Sequence, residues 1–152
     1  MNWDAISAIG EILGAVAVLA TLIYLATQIR QNTEQVRLNS IQAVNSSNDS
    51  AFEPIYIPEN SAIFSKGQNS YSSLTDHEKL VFHMLMARLI GSFDSTTYQY
   101  LQGSYDKDLY WGTAAFYSSF IKSPGGAEWW KEAEIPFSSA CVNNLDNPAP
   151  KN

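Results

Sequence analysis

Hydrophobic and polar positions are unevenly spread along the chain. Residues 12–29, ILGAVAVLATLIYLATQI, hold no charge and one strongly polar side chain, Gln28. Extending the run back to Ala5 adds a single charge, Glu11. About 20 helical residues span about 30 Å of hydrocarbon, so the run is long enough to cross a bilayer with some tilt. In lipid every backbone polar group must be bonded internally, so a lone run of this kind is helical despite its Val and Ile. The competing reading is a buried core helix, but core helices seldom stay apolar around their whole circumference. A cleavable signal peptide fits less well. The chain opens Met1-Asn2-Trp3-Asp4 without Lys or Arg, and sequence compatible with helix continues past Arg30. The pattern predicts a transmembrane helix over 1–29, with Trp3 and Tyr24 suited to the two interfaces.

Beyond the apolar run the pattern changes. Residues 28–48 contain neither Pro nor Gly, and Ile29, Val36 and Ala43 recur every seven residues. That spacing predicts a helical stalk over 30–50 with a weak coiled-coil seam, frayed near 46–50. Pro54 and Pro58 then break the helix. A short helix is expected from about 59 to 66, with Gly67 just past its end. Thr75 and Glu78 have the spacing of a capping box, opening a helix that runs to about Gln102 and stops at Gly103. Asp106 is the next N-cap, for a helix over 107–122. Ser123-Pro124-Gly125-Gly126 reads as a sharp turn. Short helices are expected over 127–134 and 137–145, separated by Pro136. No pair of alternating runs flanks a hairpin turn. The expected fold is all-α: a transmembrane helix, a stalk, a helical bundle over 51–146 and a flexible tail over 147–152.

Charge changes the picture in two ways. Nine Lys and Arg against fifteen Asp and Glu give a net charge of −6, which argues against nucleic acid as a partner. Around the apolar run, Arg30 and Arg37 follow it and no basic side chain precedes it. The positive-inside rule then predicts a cytoplasmic C-terminal domain. The single cysteine, Cys141, excludes an internal disulfide and a multi-cysteine zinc site.

The search for chemistry in the sequence yields little. His77 and His83, six residues apart, do not share a helix face, and His77-Glu78 lacks the second histidine of a zincin helix. His77 reads as an exposed first-turn residue and His83 as a core histidine bonded to a neighbour. Cys141 has no evident activating base. There is no nucleophile elbow and no phosphate loop. Glu128, Glu132 and Glu134 read as a solvated face, with a cation site as the remote alternative. No catalytic residue, metal site or cofactor is expected. Trp129 and Trp130 stand out among many aromatics; they suit a core, or a contact with lipid or another subunit.

Helix packing is the more informative signal. Gly10 and Gly14 form a GxxxG pair that lets two backbones approach closely. Glu11 lies beside them. A carboxylate facing lipid at mid-bilayer costs about 2.5 kcal/mol or more, so Glu11 either faces a partner, a pore or a cation, or reaches the interface near the helix N-terminus. Gly10, Glu11 and Gly14 are the candidate helix–helix interface.

Two segments, Gly10-Glu11-Ile12 with Tyr24-Leu25-Ala26-Thr27-Gln28-Ile29-Arg30-Gln31-Asn32-Thr33, and Ser123-Pro124-Gly125-Gly126 before Trp129-Trp130, together resemble a family of small, uncharacterised bacterial membrane proteins. The resemblance runs over nearly the whole chain in the same order, and departs in the more polar stretch 141–152. It implies a bacterial inner-membrane protein with one N-terminal span, and it carries no activity. The resulting expectation is a single-pass protein that contacts the lipid bilayer and forms a homo-oligomer. It would serve as a scaffold or as an accessory subunit to another membrane protein, not as an enzyme. The alternative is a small homo-oligomeric ion channel or ion-responsive sensor with Glu11 facing its axis.

Overall fold

A computed structural model describes residues 3–148, without the side chain of Ala5. Six α-helices and one short 3₁₀ helix follow in order, with no strand among the described residues, so the fold is all-α. The chain divides into two units, Met1–Leu38 and Asn39–Asn152.

Helix α1, Trp3–Phe52, runs 50 residues because no proline interrupts it before Pro54. Within Met1–Leu38 every described side chain is exposed. The hydroxyls of Thr21, Thr27 and Thr33 donate back to the carbonyls of Ala17, Ile23 and Ile29, each at 2.9 Å. Such bonds satisfy a hydroxyl on a surface that lacks other partners.

The second unit begins inside the segment expected to be stalk. From residue 39 onward the helix belongs to the bundle. Its face of Ile41, Val44, Ser47, Asn48 and Ala51 turns inward, with Val44 and Ala51 buried in the core. Ala43 of the expected seam is exposed, so it is not the residue that packs within the bundle. The expected fraying at 46–50 is absent as well. Asn48 Oδ1 accepts from Tyr117 OH (2.9 Å) and Ser92 Oγ (3.1 Å), and Arg88 donates to the Ser50 carbonyl at 2.8 Å. These bonds hold the turn that propensity alone would let melt.

A 3₁₀ turn, Glu53–Tyr56, leads to α2, Pro58–Asn69, with proline at the first helical position where a missing N–H is harmless. The expected boundary at Gly67 does not hold, because Gly67 lies inside α2. Helix α3, Asp76–Leu101, opens with the capping box: Thr75 Oγ1 accepts from Glu78 N, and the Glu78 side chain accepts from Thr75 N. Two donors are satisfied reciprocally, for about 1 kcal/mol. It ends where expected, with Gly103 at φ +71, a conformation that costs a residue with a side chain. Helix α4, Lys107–Lys122, is capped by Asp106, which accepts from Asp108 N and Leu109 N.

The Ser123-Pro124-Gly125-Gly126 segment is not a turn. It is the first turn of α5, Pro124–Glu132, with Ser123 as N-cap and Pro124 at the first position. The two glycines serve packing. A Cβ on Gly125 would lie 1.8 Å from the Gly67 carbonyl oxygen of α2, and one on Gly126 would lie 1.9 Å from the Phe120 carbonyl oxygen of α4. Gly67 is equally confined, with a Cβ position 2.3 Å from the Phe82 ring. Glycine therefore sets how closely α5 sits on α2 and α4. Helix α6, Ser139–Asp146, is capped by Ser138. Of the expected tail 147–152, residues 149–152 lie outside the described residues.

The core is dominated by rings. Phe82, Phe93, Tyr110, Tyr117 and Trp129 are among the largest fully buried side chains, joined by Leu89, Met86 and Ile90 of α3. Tyr110 lies stacked on Tyr100 at 4.0 Å between centroids, and Phe93 stacks on Tyr110 and Tyr117. As expected from its sequence, α3 is central.

Candidate interaction surface

Among the described residues, no group of three or more His, Cys, Asp or Glu side chains is placed to hold a metal ion. Several residues with chemical potential are bound into the bundle instead. Trp129 Nε1 donates to His83 Nδ1 at 3.1 Å, so the histidine has the bonded neighbour expected of it, but it is half-buried at the edge of the core rather than within it. Asp94 accepts from Ser138 N and Ser138 Oγ, fixing the residue that caps α6. Glu128 accepts from Ser72 N at 2.7 Å, which ties α5 to the loop before α3. Lys66 pairs with Glu78 at 2.8 Å. Together with the capping bonds from Thr75, that pair holds the Glu78 carboxyl down to about 2.

Cys141 is fully buried. Burial, with a smaller contribution from the negative charge of Asp94, pushes its thiol up to about 12. The thiolate is the nucleophile in cysteine chemistry, and this environment suppresses it.

Two phenols are also buried and kept protonated by desolvation, which raises Tyr110 and Tyr117. Tyr117 donates to Asn48. Thr97 spends its proton on the Phe93 carbonyl, so Tyr110 donates to Thr97 and accepts from Asn144 at 2.7 Å. These polar groups are satisfied inside the core, where an unpaired one would cost about 1–3 kcal/mol. Trp111 Nε1 is buried without a hydrogen-bond partner.

Two depressions on the bundle surface are open to solvent. One of about 410 Å³ lies against Tyr100, Lys107, Trp111 and Asn143; another of about 330 Å³ lies against Asp94, Tyr98 and Ser138. Neither gathers an acid, a base and a nucleophile.

The two tryptophans separate. Trp129 is 0% exposed and makes an edge contact with Phe82, so it cannot offer a surface to lipid or a partner. Burial of its large ring beneath α3 removes it from the candidate contact. Trp130 is half-buried and stacked on Phe137, at 5.9 Å and 16° between rings.

What remains is the surface of α1 in Met1–Leu38. Gly10, Glu11 and Gly14 are all exposed, and a Cβ at either glycine would meet nothing within 4 Å. Large apolar side chains surround them: Ile6, Ile9, Ile12, Leu13, Val16, Leu19 and Ile23 are each more than half exposed. Contiguous apolar surface of this length marks a site of contact with a membrane or another protein. The helix is long and apolar enough to cross a membrane, and its most apolar 18-residue stretch is wholly unburied. Sequence reading missed one feature here. Gln28 Nε2 donates to Tyr24 OH at 2.7 Å, a polar pair inside the apolar run. The signal was available in the four-residue spacing of the two side chains. No protein family, curated protein or solved structure matches the chain.

Proposed function

We propose that this protein is a single-pass membrane protein that self-associates through its N-terminal helix and works as a scaffold or accessory subunit, not as an enzyme. The observation that carries the reading is the unburied apolar stretch of α1. A helix belonging to the core of its own domain would have its apolar side chains covered. Here none is, and the second unit has a complete core without them. Covering this 18-residue apolar stretch with lipid is strongly favourable, at about 25 cal/mol per Å² of apolar surface. The absence of charge between residues 12 and 29 makes lipid a suitable solvent for that covering.

Orientation rests on Arg30 and Arg37, which favour a cytoplasmic second unit. The bacterial inner membrane as the setting rests on the resemblance of the YLATQIRQNT and SPGG segments. Self-association is supported by Gly10 and Gly14, whose missing side chains leave room for another backbone. The scaffold role is supported by the binding of His83, Glu78, Asp94 and Cys141 into the packing of the second unit.

Fractionation tests the anchor. Membranes from cells expressing the full chain are washed with alkaline carbonate and then extracted with detergent. The protein is expected to stay in the washed pellet and to enter solution only with detergent. Release by carbonate, or recovery from the first supernatant, overturns the reading.

A further inference from the structure

The polar and small residues of the exposed part of α1 are not scattered. Ser7, Gly10, Gly14, Ala17, Thr21, Tyr24, Gln28, Gln31 and Gln35 follow one another at alternating spacings of three and four residues. That is the a/d repeat of a heptad, which keeps nine positions on one line along a helix. Apart from Glu11 and Thr27, every hydrogen-bonding side chain between residues 6 and 29 stands on this line, and so do both glycines. None of the five charged residues in Met1–Leu38 does: Asp4, Glu11, Arg30, Glu34 and Arg37 all lie off it. Apart from Thr27, whose hydroxyl is bonded to the Ile23 carbonyl, the remaining faces of residues 12–29 are Ala, Val, Ile and Leu, as a lipid-facing surface requires. At about 1.5 Å per residue the line is about 42 Å long, so it continues well past about 30 Å of hydrocarbon.

We infer that this line is a helix–helix seam and that its occupant is the same line on a second copy of this chain, parallel and in register. The inference rests on the proposed membrane helix and deepens it. Polarity decides the partner. Paired in parallel, glycine faces glycine and the amides of Gln28, Gln31 and Gln35 face identical amides, each both donor and acceptor. Tyr24 and Gln28, already bonded to each other at 2.7 Å, meet the same pair. The flanking positions agree: Leu13 then faces Val18 of the other copy, Ala20 faces Leu25, and Thr27 faces Asn32. At these three pairs apolar meets apolar and polar meets polar. An antiparallel pair would need the two copies to cross in opposite orientations, against the bias that Arg30 and Arg37 give to both, and would set the glutamines against Ser7 and Gly10 rather than against identical amides. The heptad spacing specifies a left-handed crossing near +20° rather than the steeper crossing of an isolated GxxxG contact. Glu11 flanks the seam, opposite Ile6 of the other copy, and is not at its centre.

Cysteine scanning in native membranes tests this. Single cysteines are placed by Gln28→Cys, Gln31→Cys and Gln35→Cys on the seam, and by Arg30→Cys, Thr33→Cys and Arg37→Cys off it. These positions are exposed, and wild-type Cys141 is buried, so wild type serves as the uncrosslinked control. Mild oxidation is expected to give roughly tenfold more covalent dimer at seam positions than at the others. Equal yields at all six positions, or a maximum off the line, overturn the seam. Light scattering of the detergent-solubilised protein separates the two levels. A dimeric mass with crosslinks off the line removes the seam and leaves self-association standing, whereas a monomeric mass with no crosslinks removes both.

Discussion

Gly125 lies against Gly67 so closely that a methyl group on it would stand 1.8 Å from the Gly67 carbonyl oxygen. This crossing joins α5 to α2: the same Cβ position would also meet the backbone nitrogens of Tyr71 and Ser70, and Phe82 already fills the space beside Gly67. The Gly125→Ala variant is therefore expected to lose about 3 kcal/mol, at the severe end of overpacking costs. The same exchange at Gly112 should have the opposite sign. That residue is in the middle of α4, exposed, with nothing within 4 Å of its Cβ position. Gly112→Ala should gain up to about 1 kcal/mol from helix propensity. Thermal unfolding of the detergent-solubilised chain, followed by near-ultraviolet circular dichroism, compares the two. Equal shifts would mean that the crossing is not confined as described.

How far the sequence speaks is clear from the same glycines. Read locally, Ser-Pro-Gly-Gly is a turn, because proline and glycine punctuate chains. Its real role depends on a carbonyl 58 residues earlier in the chain (Gly67), which no local rule reaches. The caps were legible for the converse reason. Thr75 with Glu78, and Asp106, act on backbone N–H groups two or three residues away, so their chemistry is written in adjacent positions. The last part of α1 was misread between these extremes. Asn48 is a poor helix former by itself, and only Tyr117 and Ser92, brought from α4 and α3, make it a half-buried acceptor. The apolar run announced itself through composition. Its second pattern, the spacing of hydrogen-bonding side chains within it, is fainter because it is carried by a handful of residues.

Acid should weaken one specific contact. The Glu78 carboxyl is held at about 2, against an ordinary value of 4.5, chiefly by the hydrogen bonds from Lys66 and next by the backbone N–H of Thr75. A carboxyl lowered in the folded state stabilises fully above its unfolded value, and the contribution is lost as pH falls towards the folded one. The window here is from 4.5 down to about 2. Glu78→Gln keeps a side-chain acceptor for the cap but removes the titration and the ion pair. Melting temperatures of the two proteins should differ most near neutral pH and converge as the pH falls through that window. A gap that stays constant would show that Glu78 does not carry the effect.

The Cys141 thiol should behave as a reporter of unfolding. Its burial and its raised value, about 12, leave almost no thiolate at pH 8. A maleimide reagent should leave the folded protein unmodified over hours and label it completely in denaturant, as read by intact mass. Rapid labelling under native conditions would mean that α6, which carries this residue, opens readily from the bundle.

Gly14 offers a clean test of association because the isolated chain gains nothing from its being glycine. Nothing stands within 4 Å of its Cβ position, its backbone is ordinary helix, and leucine is a far better helix former. Gly14→Leu should thus leave the monomer's own helix intact or strengthened. On a seam where two backbones approach closely, the added side chain has no room, so the associated fraction in detergent should fall several-fold. Val16→Leu adds one methylene two residues away, on a face assigned to lipid, and should change nothing. Mass by light scattering at several protein concentrations distinguishes the outcomes. If both variants associate as wild type does, the glycine line is not the contact; if both weaken alike, helix packing is insensitive to which face is altered, and the assignment of lipid and partner faces fails.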